Sequence, residues 1–188
     1  NVWSAVNVNE PGTFCQSPDE IGKVYQFNSK KPWDFVSNPP GWSTDYNYDT
    51  CDWQPENDPS PEGWRVPTAA EMVALWEIGA TWVSAKQTGF STPGIIIGVD
   101  AATAANVTKD NINSLGALFL PRSGWINGEG ATDRTWLVAV RTATSLSRTH
   151  GGMSLGDSGG YRDTWGWGDG QKERAAMIRP VKIIQIEE

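Results

Sequence analysis

Eleven tryptophans stand in a chain of 188 residues that also carries 20 glycines and 12 prolines. Each indole must be buried against a partner or displayed to one, and the glycine and proline spacing interrupts the backbone too often for long helices to do either. A helix bundle is therefore excluded, and short elements joined by long, anchored loops are expected. The longest aliphatic run, Ile95 to Ile97 with Val99 nearby, falls far short of the roughly 20 apolar residues that span a bilayer, so no membrane insertion is expected. At this length, residues 1–188 read as a single domain.

Charge is unevenly spread. Lys and Arg number 15 against 22 Asp and Glu, for a net charge of −7. Residues 1–121 carry six basic and fourteen acidic groups, whereas residues 122–174 carry seven and six; seven of the eight arginines lie from Arg122 onward. The mixed signs argue against a nucleic-acid partner. Arginine and tryptophan on one segment is instead the composition of a protein-recognition surface. Cys15 and Cys51 fit neither a zinc spacing nor a CxxC motif, which leaves open one disulfide or two free thiols. The first residue is Asn and no charged-plus-apolar leader follows it, so the chain reads as a processed or excised segment.

Ser17-Pro18-Asp19-Glu20 followed by Gly22 predicts a helical turn over about 17–21. Lys23 to Phe27 alternates as a half-buried strand does. Residues 32–61 lack periodicity but hold Trp33, Trp42 and Trp53, which makes them a loop anchored to a core rather than a linker. Thr68-Ala69-Ala70-Glu71 is a capping box, with Met72, Leu75 and Trp76 on one face and Gly79 as a stop, so the main helix is expected over about 68–79. Gly94 to Val99, Ala117 to Pro121, Trp136 to Arg141 and Met177 to Ile186 are expected as short strands, the last with its isoleucines reaching the core. The class is α+β with long loops.

Residues 57–68, Asn-Asp-Pro-Ser-Pro-Glu-Gly-Trp-Arg-Val-Pro-Thr, followed by Glu71, resemble the NDPCPEGWRVPT..E signature of the FISUMP, or major paralogous, domain of bacterial surface proteins and their phages. Blocks at Trp3 with Asn7-Val8, at Pro11 to Phe14 and Gly22 to Gln26, at Leu118 to Pro121 and at Ile178 to Val181 agree in order, so the resemblance covers essentially the whole chain. It implies a C-type-lectin-like fold, with short twisted antiparallel strands, paired chain ends and long loops that display a ligand-binding face. It also implies a secreted, cell-surface or virion-surface setting. The signature cysteines are replaced by Ser60 and Pro180, which leaves Cys15 and Cys51 for any covalent tie. After Gly130 the usual YWSS and its Tyr-, Asn- and Ser-rich sequel give way to an Arg-, Gly- and Trp-rich run up to Gly170. That shift fits a retroelement-diversified variable region, such as proteins of this fold are known to carry.

The chemistry points to recognition rather than catalysis. The single histidine, His150, has no GxSxG elbow beside it, and Gly156-Asp157-Ser158-Gly159-Gly160 reads as a polar glycine loop despite its likeness to a protease GDSGG block. Formylglycine-generating enzymes share the implied fold but depend on late paired cysteines, which this chain lacks. In Tyr161-Arg162-Asp163-Thr164-Trp165-Gly166-Trp167-Gly168-Asp169-Gly170, indoles alternate with glycine and charge, as on a surface that lies flat on a ligand. The expected ligand contacts are Arg141, Arg148, His150, Tyr161, Arg162, Asp163, Trp165, Trp167 and Asp169, facing a protein or a glycan; packing of Trp165 and Trp167 beneath the loop is the alternative. Trp64, Trp76 and Trp125 read as core or loop anchors. Asp45, Asn47, Asp49 and Glu56 match positions 1, 3, 5 and 12 of a calcium loop, but Thr50 replaces the turn glycine, so plain surface carboxylates are favoured and no cofactor is expected. A non-catalytic adhesion domain is the reading that results; a structural subunit of a fibre or tail is its competitor.

Overall fold

The computed structural model describes residues 1–43, 51–128, 130–132, 137–157, 160–163 and 171–184; of residues 130–132, 154, 155, 157 and 160–163 it describes the backbone alone. Three helices occur in this part: α1 (Ala69–Ile78) and the single turns α2 (Ala85–Thr88) and α3 (Ala101–Ala104). The capping box of α1 forms as expected. Thr68 accepts from the Glu71 N–H, the Glu71 carboxylate accepts from the Thr68 N–H at 2.8 Å, and Gly79 closes the helix at φ 149°. Met72, Leu75 and Trp76 face inward and pack with Ile95, Ile97, Leu120, Val138, Val140 and Met177.

Among the described residues the strands form four small antiparallel sheets. Strand β1 (Trp64–Arg65) pairs with β10 (Val181–Lys182); β2 (Ala80–Val83), β3 (Gly94–Ile97) and β4 (Leu118–Pro121) make a three-stranded sheet in that order. Next come the pair β5 (Trp125–Asn127) and β6 (Gly130–Thr132), then the sheet of β7 (Leu137–Ser145), β8 (Gly151–Asp157) and β9 (Gly160–Asp163). This is an α+β architecture with few helices. No helix among the described residues is long and apolar enough to cross a membrane.

Residues 171–182 lie where the sheets meet. His150 bridges to Gln171, Ile126 to Ala175, Tyr25 to Ala176, Val140 to Met177 and Trp3 to Val181. Residues 175–181 are all buried. The first segment runs alongside the last, with Ser4 N–H donating to the Pro180 carbonyl, Val8 N–H to Ile178 and Lys182 N–H to Val2.

Several expectations are corrected. The helical turn near 17–21 is a simple turn, closed by a 3.2 Å bond from Glu20 N–H to the Ser17 carbonyl. The Lys23–Phe27 strand reduces to two bridging residues, and Val24 to Phe27 are all buried instead of alternating, because neighbours cover both sides. The strand expected from Met177 to Ile186 survives as a ladder only at Val181–Lys182. Pro180 has no N–H to give a ladder, and the residues before it each bridge a different partner. Ile183 and Ile184 are 46% and 62% exposed and do not reach the core, while Ile186 lies outside the described residues. Cys15 is buried, Cys51 is exposed, and the two are free thiols.

The loop tryptophans do anchor. Trp33, Trp53, Trp76 and Trp125 are buried, and half-buried Trp42 and Trp64 lean on Trp33 and Phe14 at centroid distances of 4.8 and 5.5 Å.

Candidate functional site: the hairpin over residues 141–163

Strand β7 begins as a fully buried run, Leu137 to Thr142, and then bulges. Arg141 pairs with Met153, but Ser145 pairs with Gly151, so four steps on β7 answer two on β8. Within the bulge, the Ala143 backbone and the Thr144 hydroxyl find partners away from β8. Ala143 N–H donates to the Pro67 carbonyl at 2.7 Å, its own carbonyl accepts from Trp53 N–H at 2.8 Å, and the Thr144 hydroxyl oxygen accepts from Ala69 N–H at 3.0 Å. The hairpin is thereby bonded to the start of α1 and to the loop before it. Glycine permits the close packing on the other strand. A Cβ on Gly151 would enter the Phe27 ring, one on Gly152 would collide with Thr142, and one on Gly156 would meet Trp76 and Ile95.

Residues 146–150 form the tip. The N–H groups of Leu146 and Ser147 both donate to the His150 carbonyl at 3.0 Å, and His150 N–H donates to the Ser147 hydroxyl at 3.1 Å. His150 Nδ1 lies 3.2 Å from that hydroxyl and 2.9 Å from Thr149 Oγ1. Ser145 N–H donates to Asp52 at 2.6 Å and Lys172 N–H to the Thr149 carbonyl at 3.0 Å, so the tip is braced from both flanks. Arg148 is exposed at its apex, outside every ion pair among the described residues, and His150 is half-buried beside it.

The sequence-derived contacts therefore separate. Arg148 and His150 come together at the tip. Tyr161, Arg162 and Asp163 lie on β9, opposite Gly156, Leu155 and Ser154. Trp165, Trp167 and Asp169 lie outside the described residues. Arg141 is corrected: it is fully buried and faces no surface. Its Nη2 donates to the carbonyls of Gln171 (3.0 Å) and Arg174, tying the start of the hairpin to the segment that follows it. Burial, aided by the like charge of Arg174, pushes its pKa down. Of the calcium-loop residues, Asp45, Asn47 and Asp49 lie outside the described residues, and Glu56 is exposed on a 3-10 turn over Pro55–Asn57. Among the described residues no group of three His, Cys, Asp or Glu side chains converges as metal ligands would.

Sequence reasoning missed a cleft of about 350 Å³ beside the tip. Its walls come from Trp53, Trp64, Val66, Ala143 and Ile183, with Asp52, Asp58 and Arg65 among the polar groups. The alternation of Trp and carboxylates over 52–66 is visible in the sequence. Its closure against Ala143 and Ile183 is not, since those residues are remote in the chain. No family model matches the chain, and no curated protein or solved structure matches it either.

Proposed function

We propose that this chain is a non-catalytic recognition domain of C-type-lectin-like, FISUMP-type architecture. In this reading it belongs to a secreted, cell-surface, pilus or phage-tail protein and binds a protein or glycan through the loop surface of residues 141–170. Paired first and last segments and several small antiparallel sheets around one main helix support the architecture. One observation carries the recognition reading: an exposed cation, Arg148, outside every ion pair among the described residues, stands on a hairpin whose base is locked by Arg141, by the β7 bulge and by glycine contacts. A charged tip on a fixed frame costs little ordering on binding, which is the property of an evolved contact surface.

The test is a glycan and host-protein array probed with the wild-type chain, followed by Arg148→Ala and His150→Ala against whichever ligand binds. A loss of about 2 kcal/mol in affinity is expected at Arg148 if it is a hot spot, with an unchanged melting temperature. A wild-type chain that binds nothing, or an affinity indifferent to both substitutions, would overturn the proposal.

A further inference from the structure

The cleft beside the hairpin has a chemistry distinct from that of the tip. Its floor is apolar, with Trp64 half-buried, Val66 buried and Ile183 exposed at its edge. The one cation among the described residues of its lining is already neutralised. Arg65 is held by Glu71 through a bidentate pair, Nη1 to Oε2 at 2.8 Å and Nη2 to Oε1 at 2.6 Å. Two carboxylates remain. Both oxygens of Asp58 accept backbone N–H groups, Ser60 at 2.8 Å and Val66 at 2.9 Å, which fixes the group but leaves its charge. Asp52 is exposed and spends one oxygen on Ser145 N–H; among the described residues its other oxygen accepts no hydrogen bond. Among the described lining residues, the charges left unneutralised are therefore those of Asp52 and Asp58, both negative.

An apolar floor with a fixed negative rim complements an aliphatic stem that ends in a cation. Indoles attract such a cation through their faces, and a carboxylate with a spare oxygen gives it a charge-assisted hydrogen bond. The cavity lies in the size range of preformed ligand sites. The geometry points to a second recognition site, in which the cleft between Trp53, Trp64 and Ile183 takes a lysine or arginine side chain of a partner polypeptide against Asp52. A neutral sugar could stack on the rings and donate hydroxyls to the carboxylates, but it would leave their charge unneutralised, which a cationic side chain does not. The inference stands apart from the tip: the cleft can bind while the tip does not, and the reverse.

The experiment is a titration of the isotopically labelled chain with Nα-acetyl-lysine amide, followed by NMR at the Trp53 and Trp64 indole N–H and the Ile183 methyl. Nα-acetyl-norleucine amide and methyl glucoside serve as uncharged and sugar probes. Saturable shifts with the lysine probe are expected, with norleucine weaker by about tenfold, the worth of one charge-assisted bond. Asp52→Asn, which keeps an acceptor for Ser145 N–H, should abolish that preference while leaving the spectrum folded. Arg148→Ala should leave the titration unchanged. The inference is overturned if no shifts appear at about 50 mM probe, the range of the weakest specific contacts. Equal response to norleucine, or a response to the glucoside alone, overturns it as well.

Discussion

The Asp19 carboxylate joins three stretches of chain: it accepts from the Ser17 hydroxyl and from Ser91 N–H at 2.7 Å, and Lys109 Nζ lies 3.7 Å away. Burial alone would raise its pKa, but the bonds from Ser17 and Ser91 outweigh burial and hold it well below the usual carboxylate range. A depressed folded-state pKa means stability that is complete above the unfolded value, near 4, and lost as pH falls below it. Asp19→Asn should therefore cost about 1–3 kcal/mol at neutral pH, and the gap between the thermal melts of the two proteins should begin to narrow near pH 4 and close only as pH falls toward the depressed folded-state value. A constant gap across pH would show that the charge has no part in it. The two cysteines give a second check at this scale. Burial, with Glu20 nearby, pushes the Cys15 thiol up to about 11, while Cys51 is exposed. Only the thiolate is reactive, so a thiol reagent should titrate one group in the native chain and two in denaturant. A native count of zero would mean that Cys51 is bonded.

Helix α1 was legible because everything that makes it is local. Thr68, Glu71, the spacing of Met72, Leu75 and Trp76, and Gly79 lie within a dozen residues and form in the structure as the pattern demands. Arg65, which grips Glu71 from outside the helix, adds a tie that the capping pattern does not announce. Thr68→Ala should cost about 1 kcal/mol, the usual worth of an N-cap, measurable by chemical denaturation. Glu71→Ala should cost more, since it releases both the Thr68 N–H and the Arg65 fork. The caps of α2 and α3, Ser84 and Asp100, were equally present in the sequence, but single turns carry no periodicity to attract notice. Sheet elements were less legible because their partners are distant. Gly156 illustrates this: it sits in what reads as a polar glycine loop, yet it packs on Trp76 and Ile95. Gly156→Ala should destabilise by roughly 1–3 kcal/mol through overpacking, seen as a lower melting temperature with the hairpin's own bonds intact.

Across the whole molecule, the arginine-rich half does two jobs that composition cannot separate. Arg148 is displayed, whereas Arg141 and Arg179 are fully buried and serve as connectors. Arg179 donates Nη1 to the carbonyls of Ser4 and Ala5, and Nη2 to those of Pro18 and Phe119, at 3.3 and 2.7 Å for the latter pair. One guanidinium thus satisfies carbonyls from the first segment, the turn after it and strand β4, at the centre of a chain whose elements are too short to hold one another by ladders alone. A planar fork with several donors can reach four carbonyls at once, and an ammonium cannot. Arg179→Lys would keep a desolvated charge while losing that reach, and Arg179→Met would lose the bonds together with the charge. Both should cost on the order of 3 kcal/mol, with Lys no better than Met. In limited proteolysis the first twenty residues should become the earliest site of cleavage in either variant, because their carbonyls lose the group that holds them to β4. If Lys restores wild-type stability, the charge rather than the fork is what matters, and the role assigned to Arg179 is wrong.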